Sequence, residues 1–337
     1  MRDSGQMFLV VHEGMRKAGL DVEAIYRRFG YDAQKLDLHG QRTPHRLQAA
    51  FWEAVEAVTG DKDIGLHLCP HLPVYRGEIL EYLMFSSPTF GDGIQRSIKY
   101  MRLISDAIGV RLIEDIDGVR IGIVGSALDA PQFRHTEICV VYEFIQFGLS
   151  VTEGSARPQR VKLRCSQLSS QAEYERILGC PVSFDYEENE IWLDPSVLQY
   201  RSPRWDPDLL RVHEELAKKR LSNIERQDLI QRIRHIFSRR LELQNCELVD
   251  VAKELDLSPR RLRFELAQAG TSFSQLLSEF RFALACKLLA DTEERIENIV
   301  YLTGFSEPST FYRAFKRWTG MTPIQYRESR PPVPAPA

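Results

Sequence analysis

Val251-Ala252-Lys253-Glu254-Leu255-Asp256-Leu257-Ser258 leads into Pro259-Arg260-Arg261-Leu262-Arg263-Phe264-Glu265-Leu266 and stops at Gly270. The pattern returns as Ile299-Val300-Tyr301-Leu302-Thr303-Gly304-Phe305-Ser306, followed by Glu307-Pro308-Ser309-Thr310-Phe311-Tyr312-Arg313-Ala314-Phe315-Lys316-Arg317-Trp318, and stops at Gly320. Each copy predicts a short helix, a tight turn and a second helix. The turn falls at Asp256 in one copy and Gly304 in the other, where a left-handed backbone suits Gly best and tolerates Asp. Ser258 and Ser306 are the expected N-caps. Two short helices joined this way outline a helix-turn-helix, whose second helix enters the DNA major groove.

Upstream, Leu229, Ile230, Ile233, Ile236, Phe237 and Leu241 recur at helical spacing over Asp228 to Leu241, with Arg232, Arg234, Arg239 and Arg240 on the other side, solvated or reaching phosphates. Between the copies, Phe273, Leu276, Leu277, Phe280, Leu284 and Leu288 predict a long connecting helix. Such a connector lets one chain address two successive major-groove segments, about 34 Å apart on one DNA face. Ser202-Pro203-Arg204-Trp205-Asp206-Pro207 reads as a linker, and Asp208 to Leu221 as a helix that either pairs with its copy in a second chain or packs on its own domain.

Residues 1–200 have a different texture. Helices are expected over Met7 to Ala18 and over Val22 to Phe29, the second opened by Asp21 and closed by Gly30. Thr43 as N-cap and Pro44 at the first helical position open a third, which Gly60 ends. Gly91-Asp92-Gly93 reads as a plain loop before the next helix. Residues 110–114 and 119–124 form a hairpin around Asp117-Gly118, and 133–149 return to helix. Strands over Arg160 to Arg164 and Val182 to Tyr186 bracket a helix over Gln171 to Leu178, and Glu190 to Leu193 adds another strand. The expected fold is an α+β N-terminal sensor domain followed by an all-α domain with two helix-turn-helix motifs joined by a long helix. Its parts are a domain over 1–200, a linker and possible dimerisation helix over 201–225, the DNA-binding domain over 226–330 and a disordered Pro-rich tail over 331–337.

With 337 residues, 43% hydrophobic and 27% charged, the chain has material for two cores. It has no apolar run of about 20 residues and no signal-peptide layout, so a cytoplasmic protein is expected. Residues 226–330 hold 17 Lys and Arg against 14 Asp and Glu, whereas 1–225 hold 27 against 33, so positive charge gathers where the repeats are. The six cysteines lack paired spacing and read as reduced thiols. His67, Cys69 and His71 offer three zinc ligands if they share one face of a strand. A frayed helix end is the better reading, because no fourth ligand is near and Pro70 breaks the geometry, so no metal or cofactor is expected. No catalytic motif appears, which argues against an enzyme. Phe8, Tyr75, Phe85, Phe90, Tyr100, Tyr142, Phe144 and Phe147 either line a small-molecule pocket or fill the core, with Tyr75, Phe85, Tyr100 and Tyr142 the pocket candidates.

The run Leu284-Ala285-Cys286-Lys287-Leu288-Leu289, then Gly304 to Lys316 and Gly320-Met321-Thr322-Pro323 to Tyr326-Arg327, resembles the C-terminal signature of AraC/XylS-type transcription regulators. Gly77 to Ser105, with Phe85-Ser86-Ser87-Pro88-Thr89, resembles the effector domain of the branch that includes ornithine- and arginine-utilisation regulators. The resemblance implies a ligand-responsive activator that binds promoter DNA as a homodimer and engages RNA polymerase. It implies base contacts from Arg260, Arg263 and Phe264 in the first reading helix, with Arg261 beside them, and from Pro308, Ser309, Thr310 and Arg313 in the second. Lys316 and Arg317 would hold phosphates. The chain departs from the family at Phe264, where Arg is usual, at Glu265, which faces cytosine N4 or points away from DNA, and at Val300, where a small Ala is usual. The rival class is a DNA-binding regulator with a thiol-based alkyl-transfer domain, which requires a reactive cysteine in a basic, partly exposed setting.

Overall fold

The computed structural model describes residues 1–30, 41–74, 78–125, 131–240 and 246–329. Tyr75, Leu241 and the tail over 331–337 lie outside them. The chain divides into two compact units, Met1–Leu221 and Ser222–Ala337. Among the described residues no helix is long and apolar enough to cross a membrane.

The first unit opens with β1 (Arg2–Ser4), α1 (Gly5–Lys17), α2 (Val22–Phe29), β2 (Arg42–Pro44) and α3 (Leu47–Thr59). It continues through α4 (Ile64–Leu68), α5 (Ile79–Ser86), α6 (Phe90–Lys99), the hairpin β3 (Gly109–Asp115) and β4 (Gly118–Val124), and α7 (Phe133–Val151). β5 (Pro158–Lys162), α8 (Gln171–Leu178), β6 (Val182–Ser183) and β7 (Asn189–Leu193) complete it. Asp21 caps α2 through a bond from the Ala24 amide, and Gly30 ends that helix at φ 84°. The open five-stranded sheet has the order β3-β4-β7-β5-β6, antiparallel except for the β5–β6 pair. Asp115 lies opposite Gly118, which leaves Ile116 and Asp117 as the two turn residues.

Alternation along the strands buries Val119, Ile121, Ile123, Val161 and Ile191 in a single core with the helices. On the other face, Arg160 and Arg120 lie 4.0 and 4.8 Å from the Trp192 ring centroid. Cation–π contact thus covers an aromatic that alternation directs away from the core.

Three local expectations give way to tertiary contacts. Thr43 and Pro44 do not start a helix; Arg42–Pro44 pairs antiparallel with Arg2–Ser4, and α3 begins at Leu47. The pairing is held by buried Asp3, which accepts from Ser105 Oγ at 2.7 Å and lies 2.8 Å from His45 Nδ1. Gly91 and Gly93 are not loop residues but sit in the first turns of α6, capped by Thr89. A Cβ on Gly93 would lie 3.1 Å from Met84 Cα, and one on Gly91 3.1 Å from the Leu198 carbonyl oxygen, so close helix approach is what these glycines permit. The helices expected over Asp208 to Leu221 and Asp228 to Leu241 are one, α9 (Pro207–Arg240). Asp206 caps it through the Asp208 and Leu209 amides, and no Gly or Pro between 221 and 228 interrupts it.

The second unit contains the later part of α9, then α10 (Leu248–Glu254), α11 (Pro259–Gln268), α12 (Phe273–Asp291), α13 (Ile296–Leu302), α14 (Pro308–Thr319) and α15 (Pro323–Ser329). It has two small cores. Ile233, Ile236 and Phe237 of α9 pack with Val251, Leu262, Leu266 and Leu276 in the first. Ala285, Cys286 and Leu289 pack with Ile299, Val300, Phe311 and Phe315 in the second. The connector α12 therefore gives its N-terminal half to one motif and its C-terminal half to the other; its 19 residues span roughly 28 Å at the usual helical rise. Val300 is fully buried, so the second core accommodates its larger side chain.

Candidate nucleic-acid interface and effector cavity

In the first motif α10 and α11 are joined through Asp256 at φ 58°, and Ser258 caps α11 by accepting from the Arg261 amide. In the second the turn is Gly304 at φ 74°, but Ser306 is not the cap. Pro308 takes the first helical position, where its missing N–H and fixed φ are tolerated, so Glu307 becomes the N-cap and makes no side-chain capping bond.

Leu262 and Leu266 turn α11 toward its core, leaving Arg260, Arg261, Arg263 and Phe264 exposed. Phe311, Ala314 and Phe315 do the same for α14, leaving Pro308, Ser309, Thr310, Arg313, Lys316 and Arg317 exposed. The structure thus brings the expected residues of each reading helix to one solvent-facing side.

Several arginines of the unit are tied to neighbouring elements. Arg239 and Arg240 pair with Glu254, and Arg234 with Glu279 at 3.7 Å, so these side chains hold helices together. Arg327 donates to the carbonyls of Leu289 and Glu294, closing the end of α12. Arg261 pairs with Glu265, which also faces Arg226 at 3.7 Å, and the Arg261 guanidinium lies 5.6 Å from the Phe264 ring centroid. Glu265 therefore points back toward α9, away from the exposed side of α11. By contrast, Arg260, Arg263, Arg313, Lys316 and Arg317 have no ion pair with any described residue. Unpaired cations on a helix face are what phosphate and guanine contacts require.

The first unit holds a second candidate site, a cavity of about 140 Å³ between α1, α3 and α7. Its walls are mostly apolar, with Trp52, Cys139 and Val140 beside the polar Gln48, Ser97 and Glu143. Of the aromatics singled out by sequence, Phe144 and Phe147 line it; Phe85, Tyr100 and Tyr142 do not. Phe85 carries the Arg204 guanidinium 4.5 Å from its ring centroid, Tyr100 is buried in the core, and Tyr142 packs against the core, its phenol pushed up to about 12 by burial. The missed signal is a second stripe on α7. Residues 138, 141 and 145 form its buried face, whereas 139, 140, 143, 144 and 147 face the cavity and place a carboxylate among apolar neighbours.

His67 and Cys69 do not converge. His67 Nδ1 lies 2.6 Å from Asp61, whereas the Cys69 thiol is buried and donates to the Gly65 carbonyl at 3.1 Å. Burial pushes the Cys69 thiol well up, and the Cys165 and Cys180 thiols up to about 11.

Residues 19–202 match the family model described as the arabinose-binding N-terminal domain of AraC transcription regulators, and residues 251–329 match a helix-turn-helix domain model. The chain is similar to the ornithine utilization regulator of Pseudomonas aeruginosa, at 28% identity over 82% of this chain and 81% of the relative. It is also similar to the transcriptional regulator VirS of Mycobacterium tuberculosis, at 30% identity over 93% of this chain and 92% of the relative. Among solved structures, the regulator CdpR from Pseudomonas aeruginosa aligns with 90% of this chain and 97% of its own at 23% identity and a TM-score of 0.41. The chain belongs to the AraC family and is a DNA-binding transcription regulator.

Proposed function

We propose that this AraC-family chain is a ligand-responsive activator that binds tandem promoter sites as a homodimer and engages RNA polymerase, with the effector taken up by its first unit. One observation carries the DNA reading: apart from Arg261, the cations of α11 and α14 that face solvent on the reading helices have no ion pair with any described residue, while Arg234, Arg239, Arg240 and Arg327 hold other helices together. Arg260, Arg263 and Arg313 are assigned to bases, with Phe264, Pro308, Ser309 and Thr310 supplying shape and shorter polar contacts. Lys316 and Arg317 are assigned to phosphates.

Selection of a binding site from a randomised pool, followed by titration with Arg263→Ala and Arg313→Ala, tests this. Each variant should lose about 1–3 kcal/mol of specific affinity. Wild-type affinity in both would reject the assignment.

The dimer reading is supported by Leu209, Val212 and Leu216, which are 50%, 49% and 38% exposed on α9. Their spacing of three and four residues is that of a coiled-coil seam, while Leu210, Ala217 and Leu221 face the first unit's own core. Val212→Glu should yield a monomer in sedimentation; an unchanged mass would remove α9 as the interface. The alkyl-transfer alternative fares poorly, because burial raises the thiols of Cys69, Cys165 and Cys180, whereas a nucleophilic cysteine needs a lowered pKa.

A further inference from the structure

We infer that Cys69 and Cys139 are a modification site, at which a hydroperoxide joins the two thiols in a reversible disulfide that ties the end of α4 to α7. Their spacing in the sequence does not pair them; the packing of the two helices does.

The pairing starts one helical turn earlier. Gly65 on α4 lies against His135 on α7, where a Cβ on the glycine would stand 2.6 Å from His135 Cα and the Gly65 amide donates to His135 Nδ1 at 3.1 Å. Cys69 and Cys139 follow these two residues by four positions each, so their side chains emerge on the sides that already touch. Both thiols turn back to one acceptor. The Gly65 carbonyl oxygen receives the Cys69 thiol at 3.1 Å and the Cys139 thiol at 3.5 Å. Cα atoms of Cys69–His71 lie within 8 Å of Cα atoms of α7, and a bridge needs its own two Cα atoms about 4.4–6.8 Å apart. Rotation about the two Cα–Cβ bonds is the movement that closes the bond. Among the described residues no other two cysteines share a hydrogen-bond partner.

Access sets the order of events. Cys139 lines the cavity, whereas Cys69 is fully buried; burial, and then the hydrogen-bonded Cys139 thiol, push the Cys69 thiol well up. Cys139, as thiolate, therefore attacks the hydroperoxide. An S–O bond forms, the O–O bond breaks, and the leaving oxygen departs as alcohol or water with the proton that the thiol gave up. The Cys69 sulfur then attacks the sulfenic acid. The S–S bond forms, the S–O bond breaks, and the hydroxyl leaves as water with the Cys69 proton. Two thiols lose two electrons and the hydroperoxide gains them. Cys69 needs no lowered pKa for its step, because it is held beside its target and proximity replaces the concentration that a free thiol lacks.

The test oxidises the reduced full chain with hydrogen peroxide, then denatures and alkylates it. Alkylatable thiols should fall by two, from six to four, and the mass should drop by two hydrogens. A proteolytic map should contain one cross-linked pair of peptides, those of Cys69 and Cys139. Dithiothreitol should restore all six thiols, and the far-UV circular dichroism should stay native throughout. Cys165→Ser should bridge as wild type does. Cys69→Ser should instead carry a sulfenic acid on Cys139 that dimedone traps, and Cys139→Ser should show neither a bridge nor a dimedone adduct at Cys69. The map is read on the wild-type chain, so a variant that fails to fold leaves its result standing. Six thiols surviving a large excess of peroxide, a bridge between any other cysteines or between two chains, or a bridge that forms only once the native spectrum is lost would each overturn the inference.

Discussion

The guanidinium of Arg281, on α12, donates to the carbonyl oxygen of Gly304 at 2.9 Å and lies 4.9 Å from the centroid of the Phe305 ring. The connector helix thereby grips the turn of the second motif directly. Burial pulls this guanidinium below its ordinary pKa, yet the carbonyl and the ring compensate for the lost water. Replacing it by Met should cost about 1.5–3 kcal/mol, the range for a hydrogen bond to a charged group. Arg281→Lys should recover little, because an ammonium lacks the planar fork that bonds and stacks at once. Urea midpoints of the two variants check this, and equal midpoints for Lys and wild type would show that charge alone suffices.

Glu265 restrains Arg261 and Arg226 together. Glu265→Ala should release Arg261 for a phosphate, and the slope of log Kobs against log salt should steepen by about 0.9. Phe264→Arg should instead move sequence preference in a randomised-site selection, with little change in total affinity. An unchanged slope and an unchanged preference would mean that this side of α11 does not meet DNA.

Gly65 lies where α4 meets α7. A Cβ there would stand 2.6 Å from His135 Cα, and backbone cannot rotate out of the way. Gly65→Ala should therefore destabilise the first unit by about 1–3 kcal/mol or more, as overpacking does. Gly109→Ala, whose nearest neighbour would be 3.6 Å away, serves as the near-neutral control. Thermal melts of the two variants should separate by several degrees.

His135 is held neutral. Its Nδ1 accepts from the Gly65 amide at 3.1 Å, its Nε2 lies 2.8 Å from Glu56, and burial lowers its pKa below the ordinary 6.5. The unfolded chain takes up a proton as pH falls through 6.5, while the folded chain resists until a lower pH. His135 thus contributes a loss of stability on acidification that begins near 6.5 and ends at the folded pKa. In His135→Gln the decline in Tm between pH 7 and pH 5 should be shallower than in wild type, and parallel profiles would contradict the assignment.

The sequence-level reading succeeded where the deciding contact is within a few residues. Asp256 and Gly304 adopt the left-handed turn, Ser258 and Asp21 cap their helices, and α8 has the expected bounds. It failed at Thr43-Pro44, where a sound local N-cap signal yields to a strand pairing with the chain's own beginning. It failed at Ser306, where a proline two positions on decides the helix start. The cavity was half visible. Two apolar stripes run along α7, and which one is packed and which faces open space depends on α1 and α3, both remote in sequence.

The sequence by itself determined the two repeated motifs, their turns and the helix joining them, because backbone sterics, capping and hydrophobic period act over one or two helical turns. Tertiary structure alone decided which cations are held in ion pairs. Arg226 meets Glu265 and Arg239 meets Glu254 across separate helices, so a basic residue becomes structural or available according to what folding brings beside it. The same holds for the cavity, whose volume belongs to no one segment but to helices remote in sequence that stand around it.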